Sequence, residues 1–486
     1  MPRLNAEVIA LQAQDSHNRT LALIDGLTPE QLLGPRLPTV NPLRWEVGHA
    51  AYFYEYWVLR HHLQQAPIRA DSDSLYDSIT IAHDDRWDLP LPSMADTHLY
   101  MQQVLDKVIA CLSSGDDLNR DYLAQYAVFH QDMHNEAYTY TRQTLNYPAP
   151  AIGHSGHQPV NQSIKQPTNH SIKQPTNHSI KQPTSQFSDS KPIVDDASIP
   201  GGRFMLGATP QEGFVFDNEK WAHAVEIAPF SIAKNAVSNG DYLTFVEAGG
   251  YENQKYWDEE GWRWRQQTGL KHPVYWRQDK QNTTNDSQKN TSGYSQKSTT
   301  GSSQQSTTGW LQRQFDQWLP LSINNALIHV CWHEAQAYCR WAGRRLPTEA
   351  EWEAAASAEP TPDGLSLSSN KRKFPWGDTP PKTDQANLDG FILGTVDVSD
   401  HASGDSAFGC RQMIGNVWEW TVDTFGPYPG FTPDMYQDYS QPLFGNTKVL
   451  RGGAWTTRAR MIRNTWRTYY GPDRNDVFAG FRTCAL

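Results

Sequence analysis

The sequence feature that most limits the fold of this chain is a proline-containing repeat. The unit Ser-Ile-Lys-Gln-Pro-Thr-Asn-His recurs with a period of eight from Ser163 to Thr184. Proline in every unit removes backbone hydrogen-bond donors, and few apolar residues are present to form a core. We therefore predict a disordered or extended linker over residues 151–195, with one domain before it at 1–150 and another after it at 196–486.

Charge, hydropathy and cysteine content exclude several classes of function. The net charge is −11 without a marked basic run, which argues against nucleic acid as a partner. No apolar stretch approaches the length of about 18 residues that a membrane span needs, and residues 1–7 lack the apolar core of a signal peptide. The five cysteines are odd in number and lack C-x-x-C spacing. We therefore predict a reduced, cytoplasmic protein without a thiolate zinc site.

The first domain contains four segments with helical periodicity. They run from Asn5 to Asp25, Pro42 to Leu63, Met94 to Ser113 and Asn119 to Leu145. Connections of moderate length favour an antiparallel four-helix bundle. Such bundles build metal sites from side chains on facing helices, so histidines in these segments are candidate ligands.

The fourth segment contains the pattern H-x-x-x-H-x-E at His130, His134 and Glu136. Two imidazoles four residues apart lie on one face of an α-helix and can hold one metal ion. Glu136 lies roughly 240° around the helix from His130, so we expect it to orient a ligand rather than to bind the metal. The alternative is that the two histidines serve packing and hydrogen bonding.

A complete site needs a ligand from another helix, and His49 is the best candidate. It lies in an apolar part of the second segment between the small residues Gly48 and Ala50. His17, His61 and His62 compete with it. His61 and His62 end their helix and more naturally face water, and His17 is predicted to be exposed among polar neighbours.

A long segment without periodicity joins the second and third helices and contains Arg86 in the sequence Arg-Trp-Asp-Leu-Pro-Leu-Pro. Long ordered loops often carry function, and an arginine there could hold a carboxylate. The alternative is a surface salt bridge with Asp84, Asp85 or Asp88.

The second domain is rich in Gly, Trp and Asn, and its periodic segments are short. It contains Ile-Gly-Asn-Val-Trp-Glu-Trp-Thr before residue 422, Arg-Gly-Gly-Ala-Trp at 451–455 and Ala-Gly-Phe-Arg at 479–482. These features predict a compact domain with little regular structure. A Ser-, Thr-, Gln- and Asn-rich tract at 281–309 is predicted to be an expanded surface loop.

His329 and His333 are also four residues apart, but a second metal pair is not expected. Leu327 to Val330 is typical of a strand, and we predict that a helix starts only after Trp332. Without a continuous helix, the spacing does not bring the two imidazoles to one face.

Together these motifs resemble the formylglycine-generating-enzyme-like (sulfatase-modifying-factor) fold, which has the C-type-lectin type of architecture, preceded by a DinB-like four-helix bundle. Fused to a bundle with H-x-x-x-H-x-E, the arrangement is similar to that of the EgtB/OvoA/SenA family of non-haem iron enzymes. The resemblance covers the chain apart from the linker and the 281–309 insert. It implies an α+β fold with two domains.

The resemblance also implies an activity. Iron(II) would be held by His49, His130 and His134, and Arg86 would help to bind the sulfur donor. The family substrate is hercynine, or trimethyl-histidine; iron(II) and O2 join a thiol or selenol to C2 of its imidazole. Its trimethylammonium group is best held by aromatic ring faces. The candidates are Trp418, Trp420 and Trp455, with Phe408 close by in sequence; the alternative is that these tryptophans are core.

Three positions depart from the pattern of the family members that use γ-glutamylcysteine. Phe408 replaces a tyrosine that supplies a proton near the iron, Met133 replaces a glutamine, and Asn446 lies where an aspartate meets the donor's amino group. The segments after Arg86 and after Glu136 resemble the SenA branch, whose donor is a selenosugar. We therefore predict a selenosugar donor, with an EgtB-type user of cysteine or γ-glutamylcysteine as the alternative.

Two other functions can be compared with this prediction. A copper-dependent formylglycine-generating enzyme would need a cysteine pair soon after the Arg-Gly-Gly motif, but Trp455 is followed by Thr-Thr-Arg-Ala-Arg and Cys484 stands alone. A non-catalytic ligand-binding module is the alternative of another class, because folds of this type also serve as binding scaffolds.

Overall fold

The computed structural model describes residues 4–152, 194–279 and 308–486. Residues 153–193 and 280–307 lie outside this description, and they include nearly all of the predicted linker and insert. The helices are α1 Ala6–Ile24, α2 Pro29–Leu33, α3 Leu43–Tyr54, α4 Ser72–Tyr76, α5 Met94–Leu112, α6 Leu118–Thr144, α7 Asn239–Glu247, α8 Glu259–Thr268, α9 Trp332–Ala342 and α10 Glu349–Ser357. The strands are β1 Asp196–Ile199, β2 Gly202–Leu206, β3 His223–Ile227, β4 Phe230–Ala233, β5 Trp276–Gln278, β6 Trp310–Gln314, β7 Gln317–Pro320, β8 Arg344–Arg345, β9 Ala358–Pro360, β10 Leu367–Lys371, β11 Trp418–Thr424, β12 Lys448–Arg451, β13 Arg467–Tyr470, β14 Ala479–Gly480 and β15 Cys484–Ala485.

The predicted four-helix bundle is confirmed, and α1, α3, α5 and α6 form it. Polar side chains fix the helix starts: Asn5 accepts hydrogen bonds from the first backbone amides of α1, Ser93 from α5 and Asp117 from α6. Helix α3 continues as a π-helical segment from Glu55 to His62. The segment between α3 and α5 shows no periodicity in the sequence, but it contains α4 and a 3₁₀ turn at His83–Trp87.

Two predictions about the surroundings of histidines were wrong. His17 is buried at 5% exposure within the bundle, because it lies on the same inner stripe of α1 as Ile9 and Ala13. Leu327 to Val330 is not a strand, and the backbone at His329 has a φ of 65°. Helix α9 begins at Trp332, so the expectation that His329 and His333 do not share a helix stands.

The second domain has short strands in small sheets, as predicted for an α+β fold with sparse regular structure. The two four-stranded sheets have the orders β1-β4-β15-β8 and β13-β12-β11-β14. Buried ion pairs hold the irregular core between them: Arg451 donates to Glu349 at 2.6 Å, and Arg482 donates to Glu419 at 2.6 and 2.8 Å. The Arg-Gly-Gly motif needs glycine at Gly452, since a Cβ there would lie 2.5 Å from the Met413 carbonyl oxygen.

Candidate metal centre

Three histidines from two helices of the bundle converge on one point. His49 is on α3, and His130 and His134 are on α6; one ring nitrogen from each lies within 4.8 Å of those of the other two. His49 and His130 are buried, and His134 is partly exposed. Within residues 4–152, 194–279 and 308–486, no other group of three His, Cys, Asp or Glu side chains has ligand atoms this close.

Hydrogen bonds to the outer nitrogens orient two of these rings. Nδ1 of His49 lies 2.8 Å from the backbone oxygen of Tyr76, and Nδ1 of His134 lies 2.6 Å from a carboxylate oxygen of Glu46. Both oxygens are acceptors, so each Nδ1 must carry a proton, and in the neutral ring Nε2 then has a free lone pair. Nε2 of His134 is 3.3 Å from Nε2 of His130. The free lone pairs therefore face a common centre.

The electrostatics of this centre fit a metal ion. Burial, followed by the charge that His134 would carry, holds the pKa of His49 and of His130 well below the usual value. Neutral imidazoles are the form that binds a metal. A carboxylate or carbonyl that accepts from the outer nitrogen of a ligating histidine is a common arrangement around protein-bound metals. Closely spaced lone pairs without a proton between them would be stabilised by a cation.

Aromatic rings fix the remaining faces of the histidines. Phe53 stacks on His130 with ring centroids 3.8 Å apart, and Trp45 stacks on His49 at 4.7 Å. Arg86 reaches this layer, because its guanidinium lies 4.1 Å from the centroid of the Trp45 ring. Arg86 also donates to Asn41 at 2.7 Å. It forms no salt bridge with a neighbouring aspartate among the described ion pairs, so the surface alternative for this residue was wrong.

A cavity of about 230 Å³ opens beside His49, between the bundle and residues 435–438 of the second domain. Tyr436 forms part of its wall, with its ring centroid 5.9 Å from that of His130 and its hydroxyl 3.4 Å from Ser78 Oγ. Burial raises the pKa of Tyr436, so the phenol keeps its proton. The lining residues are His49, Tyr52, Phe53, Tyr56, Trp57, Asp77, Ser78, Ile79, Met435, Tyr436, Gln437 and Asp438.

The predicted tryptophan wall does not line this cavity. Trp420 is fully buried and donates to the Val330 carbonyl, and Trp418 is 2% exposed and donates to Glu136 at 2.7 Å. Trp455 is equally buried and packs on Phe478 with centroids 4.9 Å apart. These three rings belong to the core, as the alternative interpretation of the tryptophans predicted.

Other predicted site residues also lie outside the cavity. Phe408 packs against a second-domain cluster that contains Trp352 and Cys410 and no bundle residue, which contradicts its placement beside the metal. Asn446 is exposed in a turn before β12, and Met133 is partly buried against the bundle core. The carboxylate of Glu136 accepts from Trp418 and, at 2.5 Å, from Thr457; it does not orient a histidine.

Glu46, Tyr76 and Tyr436 were missed by sequence reasoning. Glu46 had a detectable signal, because it precedes His49 by three residues on one helix and so lies on a neighbouring position of the same face. Tyr76 gave no signal, since its backbone oxygen makes the contact. Tyr436 is in an irregular loop, where spacing carries no geometric information.

Comparison with known proteins identifies the family. A model of the sulfatase-modifying factor enzyme 1-like domain matches residues 182–485, and a DinB superfamily model matches residues 12–139. The hercynine oxygenase of Mycolicibacterium thermoresistibile is 31% identical over 486 residues, which cover 98% of this chain and 94% of that protein. This chain belongs to the hercynine oxygenase family.

Further relatives agree with this assignment. The hercynine oxygenase of Mycolicibacterium smegmatis is 29% identical and is covered over 98% of both chains. The formylglycine-generating enzyme of Thermomonospora curvata is also 29% identical, but the match covers only 59% of this chain and 92% of that enzyme. The resemblance to the EgtB/OvoA/SenA family is thereby confirmed at the family level, and the choice of branch remains a prediction.

Proposed function

We propose that this protein is an iron(II)- and O2-dependent enzyme that joins selenium or sulfur to C2 of the hercynine imidazole. The observation that carries the proposal is the convergence of three histidines in a chain related over its whole length to hercynine oxygenases. His49, His130 and His134 would hold the metal. Iron(II) bound there would supply the redox chemistry with O2, leaving open positions for substrates beside three imidazoles. The net change would break the imidazole C2–H bond and the donor's Se–H or S–H bond, form one C–Se or C–S bond together with a Se=O or S=O bond, and release both hydrogens with the second oxygen atom of O2 as water.

The chemistry of the cavity supports a donor without carboxylates. Its lining contains two carboxylates, Asp77 and Asp438, and neither lysine nor arginine; Arg86, predicted to help bind the donor, is not among the lining residues. γ-Glutamylcysteine carries two carboxylates and would be repelled there. A selenosugar has no carboxylate, and its hydroxyl groups could donate to Asp77 or Asp438 while its apolar face packs on Tyr56 or Trp57. We therefore keep the selenosugar as the proposed donor.

One observation favours the alternative, a sulfur donor of the EgtB type. The absence of a proton donor at Phe408 was part of the case for selenium, but Phe408 lies in another core and Tyr436 faces the histidines. A phenol at this place can supply a proton to a reacting group. The case for selenium now depends on the carboxylates of the cavity, on the sequence departures at Met133 and Asn446, and on the resemblance of the segments after Arg86 and Glu136 to the SenA branch.

A donor-competition assay would test the proposal. Purified protein loaded with iron(II) under anaerobic conditions would receive hercynine and O2, with a selenosugar, cysteine or γ-glutamylcysteine. Mass spectrometry would identify products that contain selenium or sulfur. We expect the selenosugar product to form fastest. Fast formation of a sulfoxide from γ-glutamylcysteine would restore the sulfur alternative, and ligand binding without iron or turnover would favour a non-catalytic module.

The proposed cellular setting is the cytoplasm. All five cysteines are unpaired, and four of them are buried, which fits a reducing compartment. Among the described residues, no helix is long and apolar enough to cross a membrane.

A further inference from the structure

Helix α6 carries a pair of acidic side chains, Asp132 and Glu136, that alternate in sequence with its two histidines. Asp132 and Glu136 are four residues apart and therefore share a face of the helix, as His130 and His134 share another. Asp132 has a fully buried side chain, and Glu136 is 8% exposed. A buried carboxylate is costly unless it is paired or hydrogen-bonded. The partners of both carboxylates show what this second face does.

Both carboxylates bind the same short segment of the second domain. Arg460 donates to Asp132 through Nε at 2.6 Å and through Nη2 at 2.7 Å, a two-pronged ion pair. Thr457 donates to Glu136 at 2.5 Å. We call residues 457–460 the docking segment. It joins the helix that carries two of the histidines to the domain that closes the cavity.

The docking segment also holds α1 against α6. Arg460 donates to Asp15 at 2.6 Å, and Arg458 pairs with the same carboxylate at 2.5 Å. Ser16 donates to Asp132 at 2.9 Å. One arginine therefore links two bundle helices to the second domain, so its loss would weaken the attachment of α6 to both.

The position of α6 matters because one of its histidines lacks a hydrogen-bonded anchor. His49 is held by the Tyr76 carbonyl and His134 by Glu46, whereas Nδ1 of His130 is buried without a hydrogen-bond partner among the described protein atoms. The place of His130 is set by the helix itself and by ring contacts, chiefly its stack on Phe53 and its edge contacts with His49, His134 and Tyr436. A small movement of α6 relative to α3 would change its distance to His49.

We propose that Asp132 and Arg460 are positioning residues of the metal centre, which couple the docking of the second domain to the geometry of His130 and His134. The inference rests on the proposed function, since it requires the three histidines to bind a metal. It predicts that metal affinity depends on a contact on the far side of α6, through residues that touch neither the metal nor the cavity.

The test uses the full-length protein with cobalt(II) as a spectroscopic probe. Arg460→Met and Asp132→Asn should weaken cobalt affinity roughly tenfold, at the lower end of the effect of residues that orient metal ligands. Their visible ligand-field spectra at saturating cobalt should also differ from that of the wild type. Arg460→Lys keeps the charge without the two-pronged geometry, so it should retain the fold and give a smaller shift.

A matched control separates positioning from general stability. Arg344 forms a two-pronged pair with Asp196 at 3.0 and 2.6 Å within the second domain; Arg344 is buried to the same degree as Arg460, although Asp196 is 23% exposed. Arg344→Met should lower the unfolding temperature while keeping the wild-type cobalt affinity and spectrum. Folded Arg460→Lys and Asp132→Asn proteins that bind cobalt with wild-type affinity and spectrum would overturn the inference alone. A wild-type protein that binds no metal would overturn the proposed metal site as well.

Discussion

Replacing Glu46 with glutamine should weaken metal binding although Glu46 is not itself a ligand. Its carboxylate is 2% exposed and lies 2.6 Å from Nδ1 of His134. Charge-assisted hydrogen bonds of this length are roughly twice as strong as neutral ones. The amide oxygen of glutamine can still accept the proton, so the ring keeps its tautomer and loses only the effect of the negative charge on its basicity.

The size of this effect follows from comparable contacts. Removing a group that orients a ligating histidine costs about 10- to 100-fold in metal affinity, or roughly 1.4 to 2.8 kcal/mol. The conservative Glu46→Gln change should fall near the lower value. Glu46→Ala should reach the upper value, because it also leaves a buried N–H group without a partner.

Titration calorimetry with iron(II) under anaerobic conditions, or with cobalt(II), would measure the affinities. Glu55→Gln is a suitable control, since Glu55 is a buried carboxylate at the continuation of the same helix that accepts from Tyr100 and contacts no histidine. The control should lose thermal stability and keep its metal affinity. If the folded Glu46→Gln and Glu46→Ala proteins both bind metal as tightly as the wild type, the carboxylate does not tune His134 and the reasoning fails.

Four further outcomes can be measured separately. His49→Ala should abolish metal retention in elemental analysis while circular dichroism shows a folded bundle; full iron occupancy would remove His49 from the ligand set. Tyr436→Phe should lower kcat by roughly 10²- to 10⁴-fold with little change in KM if the phenol transfers a proton, whereas Phe408→Tyr should leave steady-state turnover unchanged. Asp438→Lys should shift the ratio of kcat/KM values toward γ-glutamylcysteine on the order of tenfold, since it supplies a cation for a carboxylate. Burial raises the pKa of Glu334 to about 7. Between pH of about 4.5 and 7 the folded state therefore holds a proton that the unfolded chain has lost, so the free energy of unfolding falls as pH rises through this range. Denaturant titrations should show that Glu334→Gln removes this decline.

The three histidines could be predicted because regular helices convert spacing into geometry. A four-residue separation places His130 and His134 on one face whatever the rest of the fold does. The apolar periodicity of the four long helices predicted the bundle, and the bundle limited the third ligand to a buried histidine on a facing helix. His17 shows the limit of this reasoning, since its polar sequence neighbours gave no sign that its own side chain faces the interior.

The cavity wall could not be predicted in the same way. Trp418 and Trp420 were selected for their aromatic character, but both donate their indole N–H groups to buried acceptors and take no part in the cavity. Tyr436 was overlooked because it lies in an irregular loop between β11 and β12. In such a loop, only long-range packing decides which side chain approaches His130.

The division of the site between the domains suggests how its chemistry can vary. All three candidate ligands come from α3 and α6, whereas Tyr436 and Asp438 reach the cavity from a loop of the second domain. That loop contains no metal ligand, so its residues can change without loss of the metal site. Under the positioning role proposed for it, the docking segment at 457–460 must keep its contacts with α6. In these contacts Arg460 pairs with Asp132, which lies 328 residues earlier in the chain. Under the proposed function, substitutions in this loop would change the preferred charge of the donor and leave the three histidines in place.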